Sequence, residues 1–130
     1  NLNLDEIEKL HSLKPGRLIQ ASILMGHLES SLDIKKQEML SEFGSKIGLA
    51  FQIYDDILDE TGDSSVLGKS IKSDIKNQKQ TYVKVVGLDQ SNYIANKLAT
   101  QSIDILDKME LGEAINNLKS LAEYMVNRKK

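Results

Sequence analysis

Apolar residues recur at helical spacing through almost the whole chain, and this periodicity constrains the fold more than any other feature. Near the C-terminus, Ile115, Leu118, Ala122 and Met125 follow one another at intervals of three or four residues. This interval places them on one face of a helix, whereas a half-buried strand would alternate apolar and polar residues. The chain has a single proline, Pro15, to interrupt such helices. The sequence therefore predicts an all-α fold.

The periodicity also predicts where the helices lie. A short helix is expected over about 5–13, and a second one from Pro15, which suits a first-turn position, to about residue 30. Asp33 is a plausible N-cap for a long third helix that ends near residue 60. This helix is apolar on nearly all sides after Ile47, which predicts a central position. The polar stretch 61–80 is expected to be a loop, followed by two further helices.

Length and composition bound the domain organisation and the partners. A chain of 130 residues with 40% hydrophobic content fits one domain, spanning 1–130. Its 17 basic and 19 acidic residues are spread along the chain, so neither nucleic acid nor an anionic membrane is an expected partner. No apolar run approaches the roughly 20 residues of a membrane span. The absence of cysteine is compatible with a reducing cytoplasm. The chain opens without methionine, and we expect it to begin inside a longer protein.

Three aspartates near the end of the long helix are the strongest candidates for chemistry. Asp55 and Asp59 are four residues apart and so lie one helical turn apart, with Asp56 and Gln52 on the adjoining strip. Like charges at this spacing repel, which favours a bound cation. Magnesium is commonly held by one or two carboxylates, with phosphate and water completing its coordination. A short Asp-Asp-x-x-Asp string is nevertheless more often a solvated helix face than a metal site.

Three lysines stand at predicted element boundaries, where their side chains could reach a neighbouring cleft. Lys14 precedes the second helix, and Lys69 and Lys79 lie in the polar loop. A lysine is a compact positive charge that binds phosphate well. Taken one at a time, each is more simply explained as a solvated surface lysine.

The order and spacing of these motifs resemble the trans-isoprenyl diphosphate synthases. The family's second aspartate-rich motif is similar to GLAFQIYDDILD, residues 48–59. The resemblance continues through Gly62-Asp63, Leu67-Gly68-Lys69, Ser73-Asp74, Lys79 and Thr81-Tyr82. Upstream, HSLKPGRLI (residues 11–19) looks like the family's lysine-threonine-glycine segment. The final residues LAEYMVNRKK (121–130) resemble the C-terminus of bacterial members that make the fifteen-carbon farnesyl product.

The resemblance implies a fold and a set of site residues. It implies that the chain forms the C-terminal part of the helical bundle of an isoprenoid synthase. Asp55, Asp56 and Asp59 are expected to bind Mg²⁺ at the diphosphate of the allylic substrate, with Asp55 the most important. Lys14, Lys69 and Lys79 are expected to contact the diphosphate, and Phe51 and Gln52 to line the cavity beside the reacting carbons. The catalytic residues implied are Lys14, Asp55, Asp56, Asp59 and Lys69.

The implied reaction is a prenyl transfer in which isopentenyl diphosphate condenses with geranyl or dimethylallyl diphosphate. The family also implies a homodimer. Geranylgeranyl diphosphate, or a product of another length, is the alternative to farnesyl diphosphate, because bulky residues near the family's first aspartate motif largely set the length. That motif is expected upstream of Asn1, so these 130 residues alone are expected to be inactive.

Two points remain open at the level of the sequence. Pro15 stands where the family usually has threonine, which removes a hydroxyl and a backbone N–H from the expected diphosphate contact. An alternative of another class is a noncatalytic helical interaction domain, in which the three aspartates are solvated and the apolar helices bind a partner.

Overall fold

The computed structural model describes residues 3–12, 26, 32–62 and 80–127, in which five helices have defined bounds and no strand is present. The helices are α1 (Leu4–Ser12), α2 (Ile34–Thr61), α3 (Tyr82–Val86), α4 (Leu88–Lys108) and α5 (Ala114–Asn127). The all-α prediction is confirmed. No described helix combines the length and the apolarity needed to cross a lipid bilayer.

The helix starts are fixed by local hydrogen bonds that the sequence encodes. Asn3 and Glu6 form a reciprocal capping box at α1, in which each side chain accepts a hydrogen bond from the other's backbone N–H, at 3.0 and 2.9 Å. Asp33 caps α2 as predicted, because its Oδ1 accepts a 2.8 Å hydrogen bond from the backbone N–H of Lys36. These caps satisfy N–H groups that have no partner inside the helix.

The prediction of two helices after the polar loop is incomplete. The structure has three, since the five-residue helix α3 precedes α4 and is capped by Gly87. Gly87 has a φ of 86°, a left-handed value that a residue with a Cβ rarely adopts, and it separates α3 from α4. Of the predicted second helix, only Gly26 lies within the described residues, where it is helical. Residues 63–79 of the predicted loop lie outside them.

Helix α2 is central, as its apolar surface predicted, because both clusters of the core form around it. The first cluster joins the N-terminal half of α2 to the end of α4 and to α5, and contains Leu40, Phe43, Ile47, Leu106, Met109, Ile115 and Ala122. The second joins the C-terminal half of α2 to α1, α3 and the start of α4, and contains Ile7, Ile53, Ile57, Tyr82, Val83 and Ala95. The acidic turn of α2 belongs to the second region.

Polar bonds reinforce the packing of α2 on α4. The Tyr54 hydroxyl donates a 2.6 Å hydrogen bond to Asn96 Oδ1, and Lys46 Nζ donates one of 3.2 Å to Gln101 Oε1. The two bonds are about two turns apart on α2, so they fix the rotation of α2 about its axis against α4. This rotation decides which face carries the aspartates.

Leu106 tests the first cluster, because its side chain is completely buried on α4. Leu106→Ala is expected to lower the free energy of unfolding by about 2–5 kcal/mol, from lost burial and the cavity left behind. Ile34→Ala, at a side chain that is 73% exposed, is the control and should change it by less than about 0.5 kcal/mol. Urea-induced unfolding measures both, and equal midpoint shifts would contradict this description of the core.

Candidate functional site

The acidic turn near the end of α2 exposes its three aspartates to different degrees. Asp59 is exposed and Asp55 is half-buried, whereas the side chain of Asp56 is only 3% exposed. Asp55 and Asp59 are one turn apart on one face, and Asp56 is rotated from Asp55 by about 100°. The sequence predicts a single cluster of three carboxylates. In the structure, Asp55 and Asp59 are accessible, whereas Asp56 is buried.

Asp56 is engaged in a bond that crosses between helices. Its Oδ2 accepts a 2.7 Å hydrogen bond from the backbone N–H of Tyr82, the first residue of α3. A backbone N–H at a helix start has no partner in its own helix, and a carboxylate is the strongest acceptor that it can meet. The carboxylate benefits equally, because burying an unpaired charge is costly. Asp56 therefore connects α2 to the start of α3.

Tyr82 is also bonded through its side chain. The residue is completely buried, and its hydroxyl donates a 2.9 Å hydrogen bond to Glu8 Oε1 on α1. Thr81, the residue before it, caps α3 by accepting a 3.3 Å hydrogen bond from the backbone N–H of Lys84. No role was assigned to Tyr82 or Glu8 from sequence, although Tyr82 belongs to the string that carries the resemblance.

Phe51 continues the accessible face of α2 toward its N-terminus. Since Phe51, Asp55 and Asp59 are spaced by four residues, they form one stripe along the helix, with Gln52 beside it. Phe51 and Gln52 are partly exposed, and all four side chains therefore have surface that another molecule could contact. The stripe passes from an aromatic ring to two carboxylates within about two turns.

The predicted diphosphate contacts cannot be placed next to this stripe, because Lys14, Lys69 and Lys79 lie outside the described residues, as does Pro15. Their roles stay predictions. Helix α1 ends at Ser12, two residues before Lys14, and residue 80 resumes the described chain directly after Lys79.

The donors present fit one side of a magnesium site. No group of three His, Cys, Asp or Glu side chains in the described part of the chain is close enough to hold a metal ion. Two carboxylates, Asp55 and Asp59, share the accessible face, and Mg²⁺ is typically bound by one or two carboxylates with phosphate oxygens and water as its other ligands. The oxygen donors of this pair therefore suit Mg²⁺ when a diphosphate supplies the rest.

The all-helical fold is shared with solved structures of a known family. A family model described as polyprenyl synthetase matches residues 1–123. The chain belongs to the polyprenyl synthetase family, which confirms the resemblance inferred from the motifs.

The relatives that it matches include prenyl diphosphate synthases. Farnesyl diphosphate synthase of Micrococcus luteus is 39% identical over 130 residues, which are 99% of this chain and 44% of that protein. Geranylgeranyl pyrophosphate synthase 4 of Arabidopsis thaliana is 34% identical over 128 residues, which are 98% of this chain and 34% of that protein. Geranyltransferase from Helicobacter pylori, complexed with magnesium and isoprenyl diphosphate, superposes with a TM-score of 0.78 at 32% identity, over 98% of this chain and 42% of that one. This chain thus spans less than half the length of these proteins.

Tyr82 gives the protein a predicted sensitivity to alkaline pH. Burial, together with the hydrogen bond and negative charge of Glu8, raises the pKa of Tyr82 far above its usual value of 10.0, and burial also raises that of Tyr54. Below pH 10 both tyrosines are neutral in the folded and the unfolded chain. Above it, the unfolded chain loses these protons more readily than the folded chain, so the free energy of unfolding should fall as pH rises.

This decline is expected to be less steep in Tyr82→Phe than in the wild type, because the substitution removes one of the two groups responsible. Urea-induced unfolding between pH 8 and pH 11 measures the slope. The same slope in both proteins would contradict the assignment to Tyr82.

Proposed function

We propose that this chain forms part of a trans-prenyltransferase that condenses isopentenyl diphosphate with geranyl or dimethylallyl diphosphate to give farnesyl diphosphate. The observation that carries the proposal is the accessible pair Asp55 and Asp59, located on the central helix of a chain that matches the polyprenyl synthetase model over residues 1–123. The farnesyl diphosphate synthase of Micrococcus luteus, at 39% identity, supports the farnesyl product.

The acidic stripe, formed by Phe51, Asp55 and Asp59 on α2, supplies carboxylate oxygens that can bind Mg²⁺, and Mg²⁺ can neutralise the diphosphate leaving group. Asp55 and Asp59 would hold Mg²⁺ against the diphosphate of the allylic substrate. Asp56, which the resemblance also implies as a ligand, is buried beside them. Bound magnesium would offset the negative charge that accumulates on the departing pyrophosphate. The geranyltransferase from Helicobacter pylori complexed with magnesium and isoprenyl diphosphate supports this ligand chemistry.

The remaining predicted site residues complete the proposal. Lys14, Lys69 and Lys79 contact the diphosphate and stabilise its charge as the carbon–oxygen bond breaks. Phe51 and Gln52 line the cavity beside the reacting carbons, and the ring of Phe51 offers an apolar surface with a negative face to the allylic cation. Phe51 lies one turn from Asp55, so the prenyl chain and its diphosphate would be bound by successive turns of α2.

The bond changes balance without another reactant. The allylic carbon–oxygen bond breaks and its electron pair leaves with pyrophosphate. The double bond of isopentenyl diphosphate then forms a new carbon–carbon bond to the cation, and loss of one proton restores a double bond. The role of the protein is positioning and charge stabilisation rather than covalent catalysis.

Product length, assembly and location are further parts of the proposal. Relatives of this chain include both farnesyl and geranylgeranyl synthases, so a twenty-carbon product is the alternative. We expect the enzyme to be a homodimer in the cytoplasm. A noncatalytic interaction domain is the weaker candidate, because the family match extends over nearly the whole chain.

The first test uses the complete open reading frame that encodes this chain. With geranyl diphosphate, isopentenyl diphosphate and Mg²⁺, the enzyme is expected to form a fifteen-carbon diphosphate, and to form none when EDTA removes the metal. Mass spectrometry of the products measures this. The 130 residues alone should give no product, since they span less than half of the relatives' length. A twenty-carbon product would support the proposed mechanism but favour geranylgeranyl over farnesyl diphosphate as the product. No condensation would contradict the proposed function.

Asp55 tests the metal site within the same enzyme. Asp55→Asn is expected to lower kcat/KM by at least about 100-fold and to raise the Mg²⁺ concentration needed for half-maximal rate, because one ligand loses its charge. Asp104→Asn, at an exposed aspartate of α4, is the matched control for loss of one negative charge. Similar kinetics for Asp55→Asn and Asp104→Asn would show that the acidic stripe is a solvated surface.

A further inference from the structure

Helix α5 exposes two large apolar side chains that lie side by side. Leu121 is 53% exposed and Tyr124 is 66% exposed, and residues three apart are neighbours on a helix surface. Leu118 and Met125, which are partly buried against the first core cluster, are the apolar neighbours of Leu121 three residues before it and four after it. We call these four residues the α5 flank. Apolar surface therefore continues outward from the core along one side of α5.

The α5 flank faces away from α4. Among the described helices, α5 contacts only α2 and α4. Lys119 forms an ion pair with Asp107 of α4, which fixes the side of α5 that faces α4. Residues two apart on a helix are rotated by about 200°, so Leu121 lies on nearly the opposite side from Lys119. The other helices of the described chain therefore leave Leu121 and Tyr124 uncovered.

A different side of α5 has the composition of a solvent-facing surface. Asn116, Ser120, Glu123 and Asn127 are all exposed, and their spacing of three or four residues places them on one polar stripe. Leu121 is rotated by about 100° from Ser120 and so lies off this stripe. Helix α5 thus has one face for the core, one for water and, between them, the apolar flank.

Tyr93 of α4 shows the contrasting case of an isolated aromatic residue at the surface. It is 60% exposed, but its helical neighbours three and four residues away are all exposed and polar, namely Asp89, Gln90, Asn96 and Lys97. Single exposed apolar residues are normal on a protein surface, whereas contiguous apolar patches mark contacts with another surface. The α5 flank is contiguous and joins the core, so it belongs to the second kind.

The length of the relatives favours an occupant from the same polypeptide. This chain is matched over 99% of its own length by the farnesyl diphosphate synthase of Micrococcus luteus and spans 44% of that protein. It spans 42% of the geranyltransferase structure from Helicobacter pylori. More than half of each protein thus lies outside the matched region. Segments of one polypeptide meet at a high effective concentration, so an apolar face is covered more readily from within the polypeptide than by a second molecule.

We propose that the α5 flank packs against an amphipathic helix of the same polypeptide that lies outside these 130 residues. The flank offers apolar side chains on a helix surface, and a second helix presents matching side chains at intervals of three and four residues. The proposal goes beyond the proposed function and shares with it only the premise that the chain is part of a longer protein. A gene product no longer than this chain would overturn it.

A photo-crosslink tests the proposal in the full-length protein. With p-benzoylphenylalanine incorporated in place of Leu121, the expected crosslink joins α5 to residues of the same polypeptide outside this chain, and mass spectrometry identifies them. The same group in place of Tyr93 is the control and should give at least about 5-fold less crosslinked product, because its neighbours are polar. Gel electrophoresis separates crosslinks within one polypeptide from those between two copies.

Three results of the crosslinking experiment would overturn the proposal. A crosslink from position 121 to another part of these 130 residues would show that the chain covers its own flank. A crosslink between two copies would show that the flank is an interface of an oligomer. Equal yields at positions 121 and 93 would show that the flank is ordinary exposed surface.

Charge substitutions in the full-length protein give an independent test with a matched control. Leu121→Asp places a carboxylate in the expected contact and should lower the Tm by at least about 5 °C, because a buried unpaired charge is unfavourable. Ser120→Asp adds the same charge one residue earlier, on the polar stripe, and should lower the Tm by less than about 2 °C. Equal shifts would contradict the proposal. If Leu121→Asp alone fails to fold, this agrees with the proposal, and the photo-crosslink identifies the covering segment.

Turnover measured on the same preparations separates this proposal from the proposed function. If the wild type forms a prenyl diphosphate but position 121 gives no more crosslink than position 93, the proposed function stands and the proposal for the flank fails. If position 121 crosslinks within the polypeptide but the wild type forms no product, the proposed function fails and the proposal for the flank stands.

Discussion

The packing of α2 between the other helices is the constraint on which the rest of the structure depends. Its 28 residues extend over about 42 Å, long enough to contribute to both clusters of the core. Its N-terminal half is covered by α4 and α5, and its C-terminal half by α1, α3 and α4. What α2 can offer to a ligand is therefore the strip that its neighbours leave accessible. Phe51, Asp55 and Asp59 occupy that strip.

The buried carboxylate of Asp56 joins the candidate site to the core. Asp56 lies within the packed side of α2, where an uncompensated charge would be strongly unfavourable. The backbone N–H of Tyr82 compensates it and is itself satisfied by the contact. Neighbouring aspartates of one motif thus belong to different environments, with Asp55 facing the accessible strip and Asp56 the interior. The rotation of α2 about its axis that buries Asp56 also places Asp55 on the accessible strip.

Structural features that depend on contacts distant in sequence do not follow from local patterns of residues. The short helix α3 has only five residues and no strong periodicity of its own, so it is formed by its Thr81 cap, by Gly87 and by the burial of Tyr82. Glu8 had no distinguishing pattern at all, and it acquires a partner only because α1 packs beside α3. By contrast, the Asp33 cap and the central position of α2 were predicted correctly, because both follow from residues near in sequence.

Four properties could be predicted from the amino-acid sequence alone: the helical class, the long helix with its cap and apolar surface, the family, and the one-turn spacing of Asp55 and Asp59. These properties follow from helical periodicity and from motif order, which are local. The packing of the helices was needed to show that Asp56 is buried, that it accepts a hydrogen bond from Tyr82, and that Tyr82 bonds to Glu8, which is 74 residues away in the sequence. The physical reason is that periodicity fixes the angle between two side chains on one helix, whereas burial and hydrogen-bond partners depend on which other helices pack against it.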